Sequence, residues 1–365
     1  MEALRASLLL VLVWHLLMVQ FTLAGASRYC VRKDRKHGHF KTAANCPIIR
    51  EIKDHCKQKS CSNEYRRYLD NSYVGKKLCC EDVHPRGIRV LETQNCGVFA
   101  NAPQAIGGKE VTIMSRPWMA ILMLDKSGHQ RFACGGTLIT ERFVLTAAHC
   151  FTDQQLIFVR LGEHQISTTV DCRKHKGRDL CAPAVEDFQH EHIHLHENYK
   201  HTEIGHDDIA LIKLKGSVSV KPHIRPICLP LTHSMQMRPS VIRSFCLDGW
   251  GLTENGTVSD VLLESNINQK HKENCSYIMD PNLAAATTAI CGGDIKGDSC
   301  VGDSGGPLFS VVGFQGRQRF MQFGIVSAGS TNCRAGNPSL FTNVGGFMPW
   351  ISYKIAAEYT DFKFP

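Results

Sequence analysis

Short apolar runs make up most of the chain from residue 105 to its end. Gly, Pro, Asn and Asp separate these runs, which include "WMAILML", "RFVLTAAH", "LIFVRLG", "DIALIKL" and "FGIVSAG". Many short strands joined by regular turns are typical of an all-β sandwich or of a pair of β-barrels. The stretch "PWISYKIAAEY" near the end favours a short helix. The pattern therefore predicts an all-β unit over residues 105–365.

A different pattern opens the chain. After Arg5, an apolar run begins at Leu8 and ends at the small residues "AGA". A basic start, a short apolar core and small residues after it are typical of a secretory signal peptide. No later run approaches the roughly 20 apolar residues that a membrane span needs. We expect residues 1–26 to be a signal peptide and the mature protein to be secreted, with no membrane attachment.

Seventeen cysteines indicate a disulfide framework, and six of them lie close together near the N-terminus. These six are Cys30, Cys46, Cys56, Cys61, Cys79 and Cys80. So short a stretch buries too little apolar surface to fold without cross-links, and the secretory pathway lets disulfides persist. Six cysteines allow many pairings, and spacing alone does not choose among them. We predict a disulfide-rich module over residues 27–81, and the odd total leaves at least one thiol unpaired.

The segment between the two modules has the composition of a linker. Residues 82–104 are rich in Pro, Gly, Asn and charged side chains and show no sustained periodicity, so we expect an exposed linker. Residues 28–81 hold 14 Lys or Arg against 6 Asp or Glu, a net +8 that equals the charge of the whole chain. An acidic partner or an anionic surface would therefore meet the N-terminal module. No zinc knuckle or aromatic-basic pattern favours nucleic acid.

Three stretches of the second module carry candidate chemistry. "LTAAHC" presents His149 beside Cys150, "GHDDIALIKL" presents Asp207 and Asp208 at the start of an apolar strand, and "GDSGGP" presents Ser304. A serine nucleophile needs a base that takes its proton and a carboxylate that orients the base. Taken alone, "GDSGGP" also fits a surface turn. The presence of all three residue types favours nucleophilic catalysis.

With these motifs, residues 105 to about 356 resemble a chymotrypsin-fold, trypsin-like serine peptidase. The order His149, Asp208, Ser304 matches that family, as do "PWMA", "CGGTLI", "TAAHC", "DIAL", "GWG" and "GDSGGP". The resemblance implies two six-stranded β-barrels with the active site between them and a short C-terminal helix. It makes Ser304 the nucleophile, His149 the base and Asp208 the orienting acid. The backbone N–H groups of Gly302 and Ser304 would form the oxyanion hole.

The resemblance also implies a pocket for a cationic side chain. Asp298 matches the acid at the base of this pocket, where a buried carboxylate selects Arg or Lys. Gly329 would form one wall, and Ser327 would contact the substrate backbone. Two positions depart from the family, because Ala328 stands where Trp is usual and Ser339 where Gly is usual. We expect activity toward Arg to be reduced or restricted to particular sequences.

The same resemblance implies how the cysteines of the second module pair. The implied disulfides are Cys134–Cys150, Cys275–Cys291, Cys300–Cys333, Cys172–Cys181 and Cys96–Cys228. The last of these would tether the linker to the peptidase, so cleavage between its cysteines would not release the N-terminal module. Cys246 then has no partner, and a buried inert thiol is favoured over a reactive one.

The N-terminal module, which ends in an adjacent cysteine pair, resembles the clip domain of arthropod clip-domain serine proteases. The implied disulfides are Cys30–Cys79, Cys46–Cys61 and Cys56–Cys80. Such enzymes act in extracellular cascades of innate immunity, melanisation or embryonic patterning. The resemblance implies a zymogen with an upstream activating protease and a protein substrate such as a downstream zymogen. It also implies a serpin-type inhibitor.

Activation is the step at which the sequence departs most from the family. The matching cut falls between Gln104 and Ala105 in "NAPQAIGG", where relatives usually have Arg or Lys before the bond. The freed amine would pair with Asp303 and shape the active site. Three explanations stay open: a protease of different specificity cuts here, the activated form is rare, or the protein is a catalytically silent scaffold for cascade proteases. The intact triad argues against the scaffold.

Metal ions and glycans are further candidates. Four histidines alternate in "HEHIHLHENYKH", at positions His190, His192, His194 and His196. On a strand they share one face, and imidazoles suit Zn or Cu, but a metal-free exposed strand is the favoured interpretation. We expect no cofactor, with calcium at Glu163 in "RLGEH" as the alternative. Asn255 and Asn274 begin glycosylation sequons.

Overall fold

The computed structural model describes most of the chain after the predicted signal peptide. The described residues are 29–33, 37–58, 61, 63–98, 109–175, 177–253, 256–278, 288–293, 303–329 and 337–359. Predictions for residues 1–26 therefore lie outside the described part. Within that part, no helix is both long enough and apolar enough to cross a membrane. The chain divides into two compact units between His84 and Pro85.

The first unit combines a small antiparallel sheet with two helices. The strands follow the order β1-β2-β4-β3, and their bounds are β1 Tyr29–Val31, β2 His37–Phe40, β3 Tyr73–Val74 and β4 Lys77–Glu81. The helices are α1 Pro47–Gln58 and α2 Asn63–Ser72, preceded by a 3-10 turn at Ala43–Asn45. Ile48, Ile49 and Ile52 of α1 are fully buried. Their spacing of one and four residues puts them on one face of the helix, which forms the core of the unit.

The disulfides of the first unit correct two of the three predicted pairings. Cys30–Cys79 is confirmed, but Cys46 pairs with Cys80, and Cys56 pairs with Cys61. Cys46 directly precedes α1, and Cys56 lies ten residues further along, a distance of about 15 Å on a helix axis. Because Cys80 is bonded to Cys46 at the start of α1, it lies far from Cys56, which is near the other end of that helix. Cys56 instead pairs with Cys61, three residues after the end of α1.

The second unit contains two seven-stranded antiparallel sheets. The first has the order β12-β9-β6-β7-β8-β14-β13. Its strands are β6 Met119–Lys126, β7 His129–Thr140, β8 Phe143–Thr146, β9 Gln155–Leu161, β12 Glu186–Phe188, β13 His190–Leu195 and β14 Ala210–Leu214. A separate hairpin inserted after β9, β10 Cys172–His175 with β11 Arg178–Cys181, is closed by Cys172–Cys181.

The second sheet has the order β17-β20-β19-β18-β15-β16-β5. Its strands are β5 Lys109–Glu110, β15 Ser244–Gly249, β16 Leu263–Asn268, β17 Ala289–Gly292, β18 Pro307–Phe314, β19 Arg317–Ala328 and β20 Ser339–Asn343. The all-β double-barrel architecture is confirmed. Each sheet has one strand more than predicted, because the short β12 and β5 extend the two edges. A C-terminal helix follows, as expected.

Aromatic side chains join the two sheets. Trp118, directly before β6, is fully buried, and its ring lies 5.8 Å from that of Phe309 and 5.0 Å from that of Phe320. Phe309 belongs to β18 and Phe320 to β19 of the second sheet. Contacts of this kind bury large apolar areas and fix the relative position of the sheets. The loops between the sheets are thereby held in place.

The segment predicted to be an exposed linker is partly helical and packed. The helices of the second unit are α3 Pro85–Glu92, α4 His233–Gln236 and α5 Val344–Glu358. Val90 and Leu91 of α3 are buried, and Gly87 touches the backbone of Ser352 in α5. Buried positions at Gly87, Val90 and Leu91 follow a helical period of three and four. An eight-residue helix shows this period only once, so the sequence pattern did not reveal it.

Four disulfides predicted for the second unit are confirmed. They are Cys96–Cys228, Cys134–Cys150, Cys172–Cys181 and Cys275–Cys291. The predicted Cys300–Cys333 pair lies outside the described residues. Cys246 is free, as expected by elimination. Burial and the neighbouring carboxylates of Glu264 and Asp248 raise the pKa of Cys246 to about 12, which keeps the thiol protonated and unreactive.

Candidate active site

His149 and Asp208 meet where two neighbouring strands of the first sheet, β8 and β14, have their adjoining ends. The strand β8 ends at Thr146, and a 3-10 turn over Ala148–Phe151 then carries His149. The ring Nδ1 of His149 lies 2.8 Å from Oδ2 of Asp208, and the backbone N–H of His149 donates to Oδ1 at 2.9 Å. Both carboxylate oxygens therefore accept from one residue, which fixes the orientation of the imidazole.

Asp208 is buried and receives two further hydrogen bonds from the second sheet. Ser327 Oγ donates to Asp208 Oδ2 at 2.6 Å, and Thr342 Oγ1 donates to the backbone carbonyl of Asp208 at 2.8 Å. Burial alone would raise the pKa of Asp208, but the hydrogen bonds and charge of His149 and the Ser327 hydroxyl hold it below its usual range. The acid therefore stays ionised at neutral pH.

The neighbouring acid Asp207 has a different environment. Its backbone adopts a left-handed φ of 47°, and its Oδ2 lies 3.9 Å from Nδ1 of His196. It makes neither of the contacts that join Asp208 to His149. The structure therefore agrees with the motif-based choice of Asp208 as the acid beside the base.

His149 has the electrostatic environment of a general base. Burial alone would lower the pKa of His149, but the hydrogen bond and the charge of Asp208 outweigh it and raise the pKa above its ordinary value. A protonated imidazole beside a fixed carboxylate is more stable than one in water. The pair can therefore accept a proton and hold it until a leaving group takes it.

Ser304 lies on a loop that is attached to the first sheet. Its carbonyl accepts from the backbone N–H of Gly135 at 2.8 Å, and Gly135 adjoins Cys134, whose disulfide holds Cys150 beside His149. Gly305 has a φ of +79°, and a Cβ there would lie 2.2 Å from Thr146 Oγ1. Only glycine fits this turn. The loop thus places the half-buried Ser304 on the side of the sheet that carries His149.

Asp303, predicted to receive the new N-terminus, is buried against a glycine-rich strand end. Its Oδ1 accepts from the backbone N–H of Gly251 at 2.9 Å. A Cβ on Gly249 would lie 1.9 Å from Asp303 Oδ1, so glycine is required for the carboxylate to pack there. The partners predicted for activation, Gln104 and Ala105, lie outside the described residues.

The described part of the predicted substrate pocket lies where β19 ends and β20 begins. Ser327 is buried and donates to Asp208, Ala328 is paired with Leu340, and Gly329 follows Ala328. Ser339 is 1% exposed. Two other predicted residues, Asp298 at the pocket base and Gly302 of the oxyanion hole, lie outside the described part of the chain.

A buried charge cluster near Asp303 was not predicted from the sequence. Arg116 Nε lies 2.8 Å from Asp248 Oδ2, and Arg116 Nη2 donates to Glu264. Burial raises the pKa of Asp248 to about 7, and the negative charges of Glu264 and Asp303 add to this increase. The positive charge of Arg116 opposes it. The sequence contained one indication of this cluster: Asp248 directly precedes the motif "GWG", and Arg116 directly precedes the motif "PWMA". Thr342, in the stretch "NPSLFTNV", was also not predicted, although it donates to the carbonyl of Asp208.

The alternating histidines form part of strand β13, as expected, and continue to the residue beyond it. His192 and His194 have ring centroids 4.3 Å apart, His194 Nε2 lies 3.4 Å from Glu358, and His196 packs against Trp350. Among the described residues, only Cys134, His149 and Cys150 bring three potential metal-ligand side chains together, and both cysteines are in a disulfide.

Glu163 lies beside a second acid in the loop before β10. Glu163 Oε1 and Asp171 Oδ2 both accept from the backbone N–H of His164, at 2.9 and 3.0 Å. Burial and the charge of Asp171 raise the pKa of Glu163. Two adjacent carboxylates fit a divalent cation with oxygen ligands, although Arg160 also approaches Glu163 to 3.5 Å. Calcium at Glu163 therefore stays a prediction.

One of the two predicted glycan acceptors is described. Asn274 is exposed within a 3-10 turn over Lys272–Cys275, so a glycan on its side chain meets no packed surface. Asn255 lies outside the described residues. Glycosylation stays a prediction at both positions.

Comparison with known proteins gives consistent results over most of the chain. Residues 105–351 match the sequence model of the trypsin family. The chain is 37% identical over 358 residues to "Serine protease grass" of Drosophila melanogaster, covering 93% of this chain and 94% of the relative. It is 36% identical over 288 residues to a CLIP domain-containing serine protease of Anopheles gambiae, with 76% and 78% covered.

A solved structure is also similar. The crystal structure of the Drosophila Grass clip serine protease of the Toll pathway matches with a TM-score of 0.72 and 35% sequence identity. The match covers 91% of this chain and 98% of the other. The similarity therefore extends through both units rather than through the peptidase-like unit alone.

Proposed function

Because the chain belongs to the trypsin family of serine proteases, and within it to the clip-domain proteases, we propose that it is a secreted serine endopeptidase zymogen of an extracellular cascade. The observation that carries catalytic competence is the arrangement of Asp208, which is buried, ionised and bonded to both His149 and Ser327. A scaffold that needs no chemistry has no use for a buried carboxylate oriented toward an imidazole.

The proposed mechanism assigns one task to each residue. Ser304 Oγ attacks the scissile carbonyl carbon while its proton passes to Nε2 of His149, and Asp208 stabilises the imidazolium through Nδ1. The backbone N–H groups of Gly302 and Ser304 donate to the oxyanion, a contribution of about 3–4 kcal/mol per donor. His149 then gives the proton to the leaving amine, and the acyl group leaves Ser304 by attack of water, again with His149 as base.

Activation and specificity complete the proposal. A cut between Gln104 and Ala105 frees an amine that pairs with Asp303 and orders the site. Asp298 selects a Lys or Arg side chain in the substrate. The substrate is a protein such as a downstream zymogen, an upstream protease makes the cut, and a serpin-type inhibitor ends activity. The basic N-terminal unit binds an acidic partner or an anionic surface in the extracellular space.

The proposal is tested on a full-length zymogen in which residues 101–104 are replaced by a site for a specific processing protease. After cleavage, Ala105 is the new N-terminus. We expect hydrolysis of Lys or Arg peptide substrates and labelling by a serine-directed phosphonate, both lost in Ser304→Ala. Asp208→Asn should reduce kcat by about 10⁴-fold, whereas the matched control Asp207→Asn should not.

The opposite result supports the second candidate, a catalytically silent scaffold. Gln104 stands where the family usually has Arg or Lys, and Ala105 stands where the new N-terminus of the family is usually Ile. Both departures from the family's activation sequence favour that alternative. Complete cleavage with no turnover and no phosphonate labelling would mean that Ala105 does not build the active site. In that case the protein acts by binding other cascade components.

A further inference from the structure

Two histidines of strand β13 stand side by side at the end of the first sheet. His192 and His194 are two residues apart, and their ring centroids lie 4.3 Å apart. Residues two apart on a strand point to the same face, so both imidazoles leave the strand on one side. β13 is the last strand of its sheet, and His192 is exposed. The pair therefore offers two ring nitrogens to one ligand.

His194 carries a buried ring nitrogen that makes no hydrogen bond. Its Nε2 lies 3.4 Å from Oε1 of Glu358, the last residue of α5, and this buried atom has no hydrogen-bond partner within the described structure. Burial and the neighbouring His192 lower the pKa of His194, which favours the neutral imidazole. The neutral imidazole is the form that binds a metal ion.

The carboxylate of Glu358 is divided between two partners. Its Oε1 faces His194, and its Oε2 accepts from Nζ of Lys213 at 2.5 Å. Lys213 also donates to Glu191 at 2.7 Å, and this second carboxylate balances the ammonium charge. Lys213 therefore orients Glu358 and leaves Oε1 for another cation. Outer hydrogen bonds of this kind are typical of carboxylates that bind metals.

The three side chains match a donor set that zinc accepts. Zinc takes imidazole nitrogen and carboxylate oxygen in a tetrahedral arrangement, and three protein ligands with one water are sufficient. Two ligand atoms of such a tetrahedron are about 3.3 Å apart. The 3.4 Å between His194 Nε2 and Glu358 Oε1 fits this separation. His192 is exposed and completes the set by turning about its side-chain bonds.

We propose that His192, His194 and Glu358 form a zinc site that joins β13 to the C-terminal helix α5. The ion supplies the missing partner of His194 Nε2, and a water molecule completes its coordination. Zinc binding stabilises the second unit, because the site joins two elements far apart in the chain and exists only in the folded protein. None of the three residues takes part in the proposed catalytic mechanism, so the inference does not rest on the peptidase function.

The test is a calorimetric titration of the uncut full-length protein, carrying no histidine tag, with zinc chloride. We expect one binding event that His192→Gln weakens about tenfold or more, because the loss of an outer-shell partner alone has an effect of that size. Glu358→Gln should weaken zinc binding about tenfold as well. The matched control is His201→Gln, which removes an exposed histidine of the same sequence stretch outside the strand. This control should bind zinc like the wild type.

Two further readouts locate the ion and measure its effect. Zinc should protect His192 from modification by diethyl pyrocarbonate, whereas His201 should stay reactive. Zinc at about ten times its Kd should raise the Tm of the wild type by about 3–6 °C, and His192→Gln should lose this increase. Because His192 is exposed, the variant and the wild type should have the same Tm in EDTA, which shows that the variant is folded.

Each outcome has a defined meaning. Equal zinc affinity in the wild type and in His192→Gln, or no binding at all, overturns the proposal. Wild-type affinity in Glu358→Gln overturns the connection to α5, because the ion then binds to strand residues alone. A Tm that zinc leaves unchanged overturns the stabilising role. None of these measurements needs a cut zymogen, so a failure of the proposed peptidase function does not change their meaning.

Discussion

Replacing Gly87 by alanine tests whether α3 is a structural part of the peptidase unit. A Cβ at this position would lie 1.9 Å from the carbonyl oxygen and 2.8 Å from the Cα of Ser352 in α5. Ordinary contacts of this kind are about 3.4 Å, so the helices must separate by about 1.5 Å. Such a separation loosens Val90 and Leu91, both buried against the unit.

The expected magnitude follows from opposing terms. Overpacking of a buried contact typically costs about 1–3 kcal/mol, whereas alanine gains about 1 kcal/mol over glycine in helix propensity. Because the contacting atom is backbone and cannot rotate away, we expect Gly87→Ala to destabilise the unit by about 2 kcal/mol. For a unit of this size that corresponds to a decrease in Tm of about 4–8 °C.

The assay combines thermal unfolding with limited proteolysis. Arg86 and Arg89 lie within α3. If the helix is loosened, trypsin can cut the peptide bonds that follow these two residues, even at low temperature. Gly313→Ala is the matched control, because a Cβ on that exposed β18 residue meets no atom within 4 Å. A wild-type Tm for Gly87→Ala, with both arginines still protected, would refute the packing argument.

Three further predictions concern the site and the free thiol. Gly305→Ala should reduce kcat/KM about a hundredfold or more, because the added Cβ meets Thr146 and displaces the serine loop, whereas Gly316→Ala, also at positive φ but in open space, should not. The wild-type rate should rise with pH as His149 loses its proton, around the raised pKa of its imidazole. In Asp208→Asn the carboxylate that raises this pKa is gone and burial still lowers it, so the rise in rate should occur at lower pH. A rise at the same pH in both proteins would contradict the assignment of Asp208. Iodoacetamide should leave Cys246 unmodified in the native protein at pH 8 and modify it after denaturation.

The sequence motifs were sufficient to predict that His149 and Asp208 lie together and that Ser304 belongs to the same candidate site, because the chemistry of a serine nucleophile needs particular residue types in a particular order. The strands could be recognised as short apolar runs in the sequence, because strands that fill a core must carry apolar side chains. Local patterns did not reveal the cluster of Arg116, Asp248 and Glu264. Its members are far apart in the chain, and only the pairing of β15 with β16 and the packing of the loop before β6 bring them together.

Two errors have different physical origins. The helix α3 was missed because one repeat of an apolar pattern does not distinguish a short packed helix from a linker. The pairings of Cys46 and Cys56 were wrong because they depend on α1, which separates the two cysteines: Cys46 at its start reaches Cys80 of β4, and Cys56 near its end reaches Cys61. The bounds of that helix, and not the spacing of the cysteines, decide which partner each one meets.

The bonds made by Asp208 have a consequence for how the molecule matures. The acid precedes β14 of the first sheet, yet Ser327 and Thr342, which hold it, belong to the second. The backbone ladder of either sheet includes none of these hydrogen bonds, so a packing error that left both sheets intact would still leave the His149 imidazole without its oriented acid. The geometry that the proposed peptidase function needs therefore depends on how the two sheets dock as much as on either sheet alone.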